Sequence, residues 1–510
     1  MTPRPRRLIG SLAVAALTAV ACGARVVPLD LQAFGPPANP SASPTDPSAP
    51  LPGGSLPPGV QPIATTTATA TGAPTTAPIL PNCSGGASDR GVTKDTIKLG
   101  LIASMTGPLP GQFDAAVEAV DVHFKLINDA GGICGRRVQL LIRDDSGDGN
   151  RNKSIAEEMA KEGIFAFVGS HSAPDDSGIA VVSRREKIPD IGFPLTWERA
   201  ENPYTFGVPG QLQRETIGEG AAGSKYLNKN LGVEQIAIFW LKESEVSIIN
   251  AWGFESAMQK TSGGKLTICH EQPAGVLDNN YTNYVVAMKG NCDPKRTAVY
   301  TTMENNANIK LAIAMRDQGF KPRAYVPTFS SYLPSFIEDS DGAAEGAYMA
   351  MPQIPFERLE QPQSEWTPGT YELKRYVDTL NHYNPRHKVP GSWGGPAWAS
   401  AALFVEVATR CGAKLTRACV LHELETMEPF SANGFVVPTR PGDHRIYTAD
   451  LIVRVQNGRF VEIPPGDNTA PKGAPDFWDD STLFNWQIYM CSHPNQFPNM
   501  DEKRRLLTRC

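Results

Sequence analysis

From Thr96 onward, short apolar and β-branched runs alternate with amphipathic stretches, and this alternation constrains the fold most. "TIKLGLIAS" reads as a strand. "GQFDAAVEAVDVHFKLINDAGG" reads as a helix, with Phe113, Ala116, Val117, Val120, Phe124 and Ile127 at helical spacing and Gly131 and Gly132 as its stop. "RRVQLLIRDD", "IFAFVGS" and "IPDIGF" continue as strands, with helical segments between them. The pattern restarts at "VEQIAIFWL" and runs through "KLTICHEQ", "RTAVYTTM" and "RAYVPTF", again with intervening helices. Strands alternating with helices imply parallel sheets covered on both faces. The two halves share a build without repeating a sequence, which suits two α/β lobes.

The ends add a compartment. Arg4, Arg6 and Arg7 precede an apolar run, Leu8 to Ala21, of signal-peptide length. It closes as "TAVAC", similar to a bacterial lipobox with Ala19 in the usual leucine position, and Cys22 is the expected lipidation site; an ordinary signal peptide cleaved near Ala21 is the alternative. Between Arg25 and Arg90 there is no other Lys or Arg, and the composition is Pro, Ala, Thr, Ser and Gly. Such a stretch cannot bury enough apolar surface to offset chain entropy and reads as a tether. The net charge of −5, without a basic stripe, argues against a nucleic-acid partner. Of nine cysteines, eight remain beside Cys22, an even count that favours disulfides in an exported chain. No C-x-x-C occurs to suggest zinc.

"IFAFVGSHSAPDD" carries the sharpest local question. A strand turning around Ser172 into a helix suits three roles. The turn can offer backbone N–H groups and a hydroxyl to an anionic group at a helix start. Ser172 can instead be an N-cap. It can also be a nucleophile, but Pro174 stands where an elbow needs a small residue, and His422 and His444 lie outside any such context. His171 is equally a packed residue or a contact. "DDSGDGN" imitates a calcium loop, yet Ile155 occupies the position of the required glutamate, so Asp144 and Asp145 read as turn and capping residues.

"IKLGLIASMTGPLPGQF", "LINDAGGICGRRVQLLIRDDSGD", "FAFVGSHSAP", "KIPDIGF" and "DGAAEGAYM", in that order, resemble the extracellular solute-binding proteins of the branched-chain amino-acid (leucine/isoleucine/valine) type, over roughly Thr93 to Ile463. The resemblance implies a type I periplasmic-binding fold: two doubly wound parallel-sheet lobes joined by three crossing strands, closing around a ligand at the strand ends. It implies a small-molecule ligand, an ABC importer as partner, attachment to the outer face of the membrane through the lipid anchor, and no catalytic residue, metal or cofactor. A receptor domain of the same fold and an exported serine hydrolase using Ser172 are the alternatives.

By the same resemblance the ligand-binding candidates are Ser104, Phe113, Ser172, Ala173, Leu195, Thr196, Trp197, Glu245, Glu304 and Phe329. The turns at Ser172 and Thr196 would hold a carboxylate. Trp197 is either a pocket wall or lobe packing, and Trp240 and Phe329 would add apolar walls. The turn near Phe329 and Ser330 lacks the glutamate that neutralises an amino-acid ammonium, with Glu243, Glu245 or Glu304 as substitutes. The expected ligand is therefore a small carboxylate or amide with an apolar body, ahead of leucine. The fold implied by the resemblance suggests the pairs Cys83–Cys134, Cys269–Cys292, Cys411–Cys419 and Cys491–Cys510. The expected organisation is signal 1–22, tether 23–90, lobe one 91–210 and 352–432, lobe two 211–351 and 433–463, and an extension 464–510.

Overall fold

The computed structural model describes residues 86–211, 216–218, 223–386, 391–447, 449–464, 478–479 and 483–507. The expected signal peptide, Cys22, nearly all of the tether, Cys83 and Cys510 lie outside the described residues.

The first α/β series comprises β1 (Thr96–Ala103), α1 (Asp114–Asp129), β2 (Arg137–Asp144), α2 (Gly149–Lys161), β3 (Ala166–Val168), α3 (Ser177–Glu186), β4 (Asp190–Gly192), α4 (Trp197–Ala200) and β5 (Thr205–Gly207). After β6 (Thr216–Gly218) and α5 (Gly223–Lys229), the second series runs through β7 (Gln235–Leu241), α6 (Glu245–Thr261), β8 (Thr267–Ala274), α7 (Thr282–Asn291), β9 (Thr297–Thr301), α8 (Asn305–Asp317), β10 (Ala324–Val326) and α9 (Pro334–Glu338). Next come β11 (Tyr348–Met351), α10 (Pro368–Tyr383), α11 (Gly394–Cys411) and α12 (Arg417–Thr426). The chain ends with β12 (Ala449–Gln456), β13 (Arg459–Ile463), β14 (Trp478–Asp479), β15 (Leu483–Asn485), α13 (Trp486–Ser492) and α14 (Met500–Leu506).

Two parallel sheets result, ordered β2-β1-β3-β4-β5 and β10-β9-β7-β8. In each, the first strand lies between the second and the third. That inversion splays the following loops to opposite faces and leaves a crevice at the strands' carboxyl ends, where open α/β sheets bind ligands. Leu99, Leu101 and Ala103 on one face of β1 and Ile102 on the other are fully buried, consistent with a strand covered on both sides.

Local chemistry sets several element ends. Asp148 caps α2 by accepting from the Arg151 N–H. Gly132, at φ 76°, ends the turn after α1, and a Cβ there would come within 2.3 Å of the Arg136 carbonyl oxygen. β12 and β13 form an antiparallel hairpin around Asn457 and Gly458, both at positive φ, and β11 pairs with the other edge of β12. Helices α10 and α11 pack on α1.

The extension beyond the hairpin covers α6. Trp486, Met490, Phe497 and Met500 share one apolar cluster with Ile249, Trp252, Phe254 and Met258. Cys269–Cys292 and Cys411–Cys419 are disulfides, as expected. Cys134 and Cys491 are also disulfide-bonded. Among the described residues, no helix is long and apolar enough to cross a membrane.

Candidate functional site

The turn after β3 is held from inside the protein. Ser172 is fully buried; its hydroxyl faces the Ile102 carbonyl at 3.4 Å and accepts from Asn152 Nδ2 at 3.4 Å. Ser104 donates to Asp145 at 2.7 Å and accepts the Ala173 N–H at 3.1 Å. Asp145 also accepts from the Gly147 N–H and Asn152 Nδ2. Asp144 accepts from the N–H groups of Met105, Thr106 and Ser146 and from the Thr106 hydroxyl; burial opposes its ionisation, but these donors prevail and hold the carboxyl below its ordinary value. The Ser104 hydroxyl and the Ala173 N–H, both expected to face a ligand, thus bind one another, and the Ser172 hydroxyl is engaged by Ile102 and Asn152. Ser172 is not a helix cap either, because α3 begins only at Ser177, after Asp176. Its hydroxyl makes no hydrogen bond to an imidazole among the described residues: His171 Nδ1 turns to Gly169 O, and His444 bonds Thr205 O and Glu425. The nucleophile reading therefore has no general base.

The second turn holds a carboxylate, but one belonging to the protein. Asp176, fully buried, accepts from the Leu195 N–H at 2.8 Å, the Thr196 hydroxyl at 2.5 Å and Arg199 Nη1 at 2.9 Å. Arg199, also fully buried, grips Asp190 with Nε and Nη2, both at 2.9 Å. One guanidinium thus serves two carboxylates. Burial pushes Asp176 up to about 6 despite the opposing pull of Arg199 and its hydrogen bonds. The Leu195 N–H and the Thr196 hydroxyl, two donors expected to read an external carboxylate, are thus engaged by the protein's own Asp176.

Beside these turns five rings converge from distant loops. Phe113 follows β1, His171 follows β3, Phe193 follows β4, Trp393 leads into α11, and Phe329 follows β10 of the second sheet. Trp393 is central, with ring centroids 5.5 Å from Phe113, 5.6 Å from His171, 5.2 Å from Phe193 and 4.5 Å from Phe329. The edge-on approaches suit aromatic quadrupoles. Two polar atoms in this cluster have no hydrogen-bond partner among the described residues. They are His171 Nε2 and Trp393 Nε1, both shielded from solvent. A carbonyl can only accept, so His171 Nδ1 carries the proton toward Gly169 O at 2.9 Å and Nε2 presents a lone pair. Burial lowers this imidazole to about 4 and keeps it neutral. A buried unsatisfied group costs about 1–3 kcal/mol, which a ligand meeting both atoms would relieve.

On the facing series, Glu304 caps α8 by accepting the Asn306 and Ala307 N–H groups, each at 2.6 Å. Burial raises its carboxyl above the ordinary value, against the lowering effect of those bonds. Glu243 accepts the Val276 N–H. Glu245 accepts the Trp197 N–H at 3.4 Å, linking the loop after β4 to the start of α6. The Trp197 ring packs on the apolar cluster of the second series, so it contributes packing. Trp240 lies in that same cluster, 6.3 Å from Trp252, and is a core residue; the expectation of a pocket wall is corrected.

Residues 96–459 match the family model described as periplasmic binding protein. The chain belongs to this family. A Leu/Ile/Val-binding protein homologue of Brucella melitensis is 28% identical over 203 residues, 38% of this chain and 51% of that relative. The match thus spans about half the length of that curated relative. Among solved structures, a leucine-binding protein of Thermotoga maritima superposes with a TM-score of 0.56 at 17% identity, covering 72% of this chain and 98% of the other. A fatty acid ABC transporter substrate-binding protein of Thermomonospora curvata gives a TM-score of 0.58 at 19% identity, over 74% and 93%. At these identities the structures establish the fold, that of a type I periplasmic binding protein with parallel α/β lobes. A Leu/Ile/Val-binding protein of Rhizobium johnstonii is 35% identical over 85 residues, 17% of this chain and 22% of that relative.

Phe113 and Phe329 are among the residues expected from the sequence and His171 is open there between packing and contact, whereas Phe193, Trp393, Asp176 and Arg199 are not among them. A readable signal existed for one of them: Trp393 stands in "GSWGGPAW", a large ring among glycines just before a helix. No local signal brings Asp176, Asp190 and Arg199 together.

Proposed function

We propose that this chain captures a small, largely apolar molecule between two lobes outside the cytoplasmic membrane and hands it to an ABC importer, held to the membrane by lipid on Cys22. In this reading, lobe one comprises 91–210 and 352–432, and lobe two 211–351 and 433–463. The observation that carries the proposal is the cluster of five rings, four from loops on one side and Phe329 from the other, over the carboxyl ends of two parallel sheets. Ligand pockets are concave, mostly apolar and marked by few polar groups, and two-lobed proteins of this kind close by hinge motion. Asp176 takes the Leu195 N–H and the Thr196 hydroxyl that an amino-acid carboxylate would otherwise use, which shifts the expected ligand away from free leucine.

The test is native mass spectrometry of the gently purified protein, combined with small-angle scattering. A co-purified small molecule whose removal expands the particle is expected. Trp197→Ala removes packing between the loops and should shift the ligand-free protein toward the expanded form. A protein whose dimensions ignore both ligand removal and this substitution would refute the capture mechanism. Cys22→Ser should leave binding intact and release the protein from membranes; retention there would refute the lipid anchor.

A further inference from the structure

We infer that the solute carries an uncharged head that both accepts and donates a hydrogen bond, a hydroxyl or a carboxamide, seated between Trp393 Nε1 and His171 Nε2, with its apolar body among Phe113, Phe193 and Phe329. This rests on the capture reading above and specifies the ligand class.

Trp393 Nε1 is only a donor, and His171 Nε2, with the proton held at Nδ1, is only an acceptor. Their rings lie 5.6 Å apart between centroids, and both atoms are buried without a partner among the described residues. A single hydroxyl answers both, as does the C=O and N–H₂ pair of an amide. A carboxylate would satisfy the indole but set its charge against the imidazole lone pair. The Leu195 N–H and the Thr196 hydroxyl, donors after β4 that suit a carboxylate, are already bound to Asp176. An ammonium would satisfy His171 but lack a free counter-charge: Asp176 is committed to Arg199, and Glu304 is engaged at the start of α8. A buried charge without a partner is disfavoured far more than a neutral polar head. Phe329 is the one ring from the opposite side, so hinge opening withdraws it from Trp393 and makes room for the ligand body.

The full chain is titrated by calorimetry at pH 7 with phenol, benzamide, benzoate and benzylammonium, and scattering is recorded at saturation. Phenol and benzamide should bind at least about tenfold more tightly than the two ions. Trp393→Phe and His171→Phe, which keep a ring in place, should each weaken both neutral probes by about threefold to tenfold, the worth of one neutral hydrogen bond. A merely structural role would lower the melting temperature without changing the preference for neutral over charged probes. Benzoate or benzylammonium binding as tightly as benzamide with compaction would overturn the neutral head and leave the capture reading standing. Binding without any compaction would instead overturn the capture reading. Failure of both neutral probes to bind, or unchanged affinity in both variants, would overturn the inference.

Discussion

Replacing Lys503 with Met should unlock the C-terminal extension in a pH-dependent way. Lys503, in α14, is almost fully buried, with Nζ at 2.7 and 2.8 Å from the two oxygens of Glu255 in α6 and at 2.6 Å from Glu271 in β8. The side chains of Glu255 and Glu271 are 0% and 4% exposed, so neither carboxylate has water to replace the ammonium. Unit charges about 3 Å apart at an effective dielectric near 20 interact by roughly 5 kcal/mol. Measured losses from breaking one side of a buried pair are about 3–5 kcal/mol. Burial pushes Glu255 up to about 8, with Lys503 pulling it down and Glu271 pushing it further up. Removing the lysine removes the downward pull. A carboxyl whose folded value is raised contributes stability that is fully present below its unfolded value, near 4.5, and lost as pH rises through the folded value. The substitution should therefore cost under about 1 kcal/mol near pH 5 and approach about 3–5 kcal/mol above pH 8. Urea denaturation followed by circular dichroism at both pH values measures the loss, and hydrogen exchange of α13 and α14 amides localises it. The double variant Glu255→Gln/Lys503→Met should recover more than half of it. A pH-independent penalty, one below about 1 kcal/mol at pH 8.5, or no recovery in the double variant would refute the reasoning.

Arg199→Met should destabilise the protein by about 3–5 kcal/mol at pH 8, because it strands Asp176 and Asp190 in the interior. Urea denaturation should show a smaller loss below pH 5, where Asp176, already pushed up to about 6, is protonated. Gly395→Ala should cost about 1–3 kcal/mol in the same assay, since a Cβ there would stand 1.9 Å from Gln353 Oε1; Gly290→Ala, with nothing within 4 Å, should be neutral or stabilising.

The sequence by itself determined the alternation of strands and helices, and with it two parallel sheets. It also determined the Asn457-Gly458 hairpin, and these follow from rules that act over a few residues. The Cys269–Cys292 and Cys411–Cys419 bridges were expected only through the fold that the resemblance implies. α6 also carried a local hint, since Ile249, Trp252, Phe254 and Met258 spread around the helix and demand a cover on more than one side. What supplies that cover was not legible, because Lys503 meets Glu255 across 248 positions. The candidate site divides in the same way. Phe113 and Phe329 were visible as rings after strands, whereas the commitment of Thr196 and Leu195 to Asp176 was not. A donor's type can be read from sequence, but whether it remains free for a ligand depends on every acceptor brought near it. Buried polar groups must find partners, and only the tertiary structure decides whether that partner is the protein's own carboxylate or, at His171 and Trp393, none within the described residues.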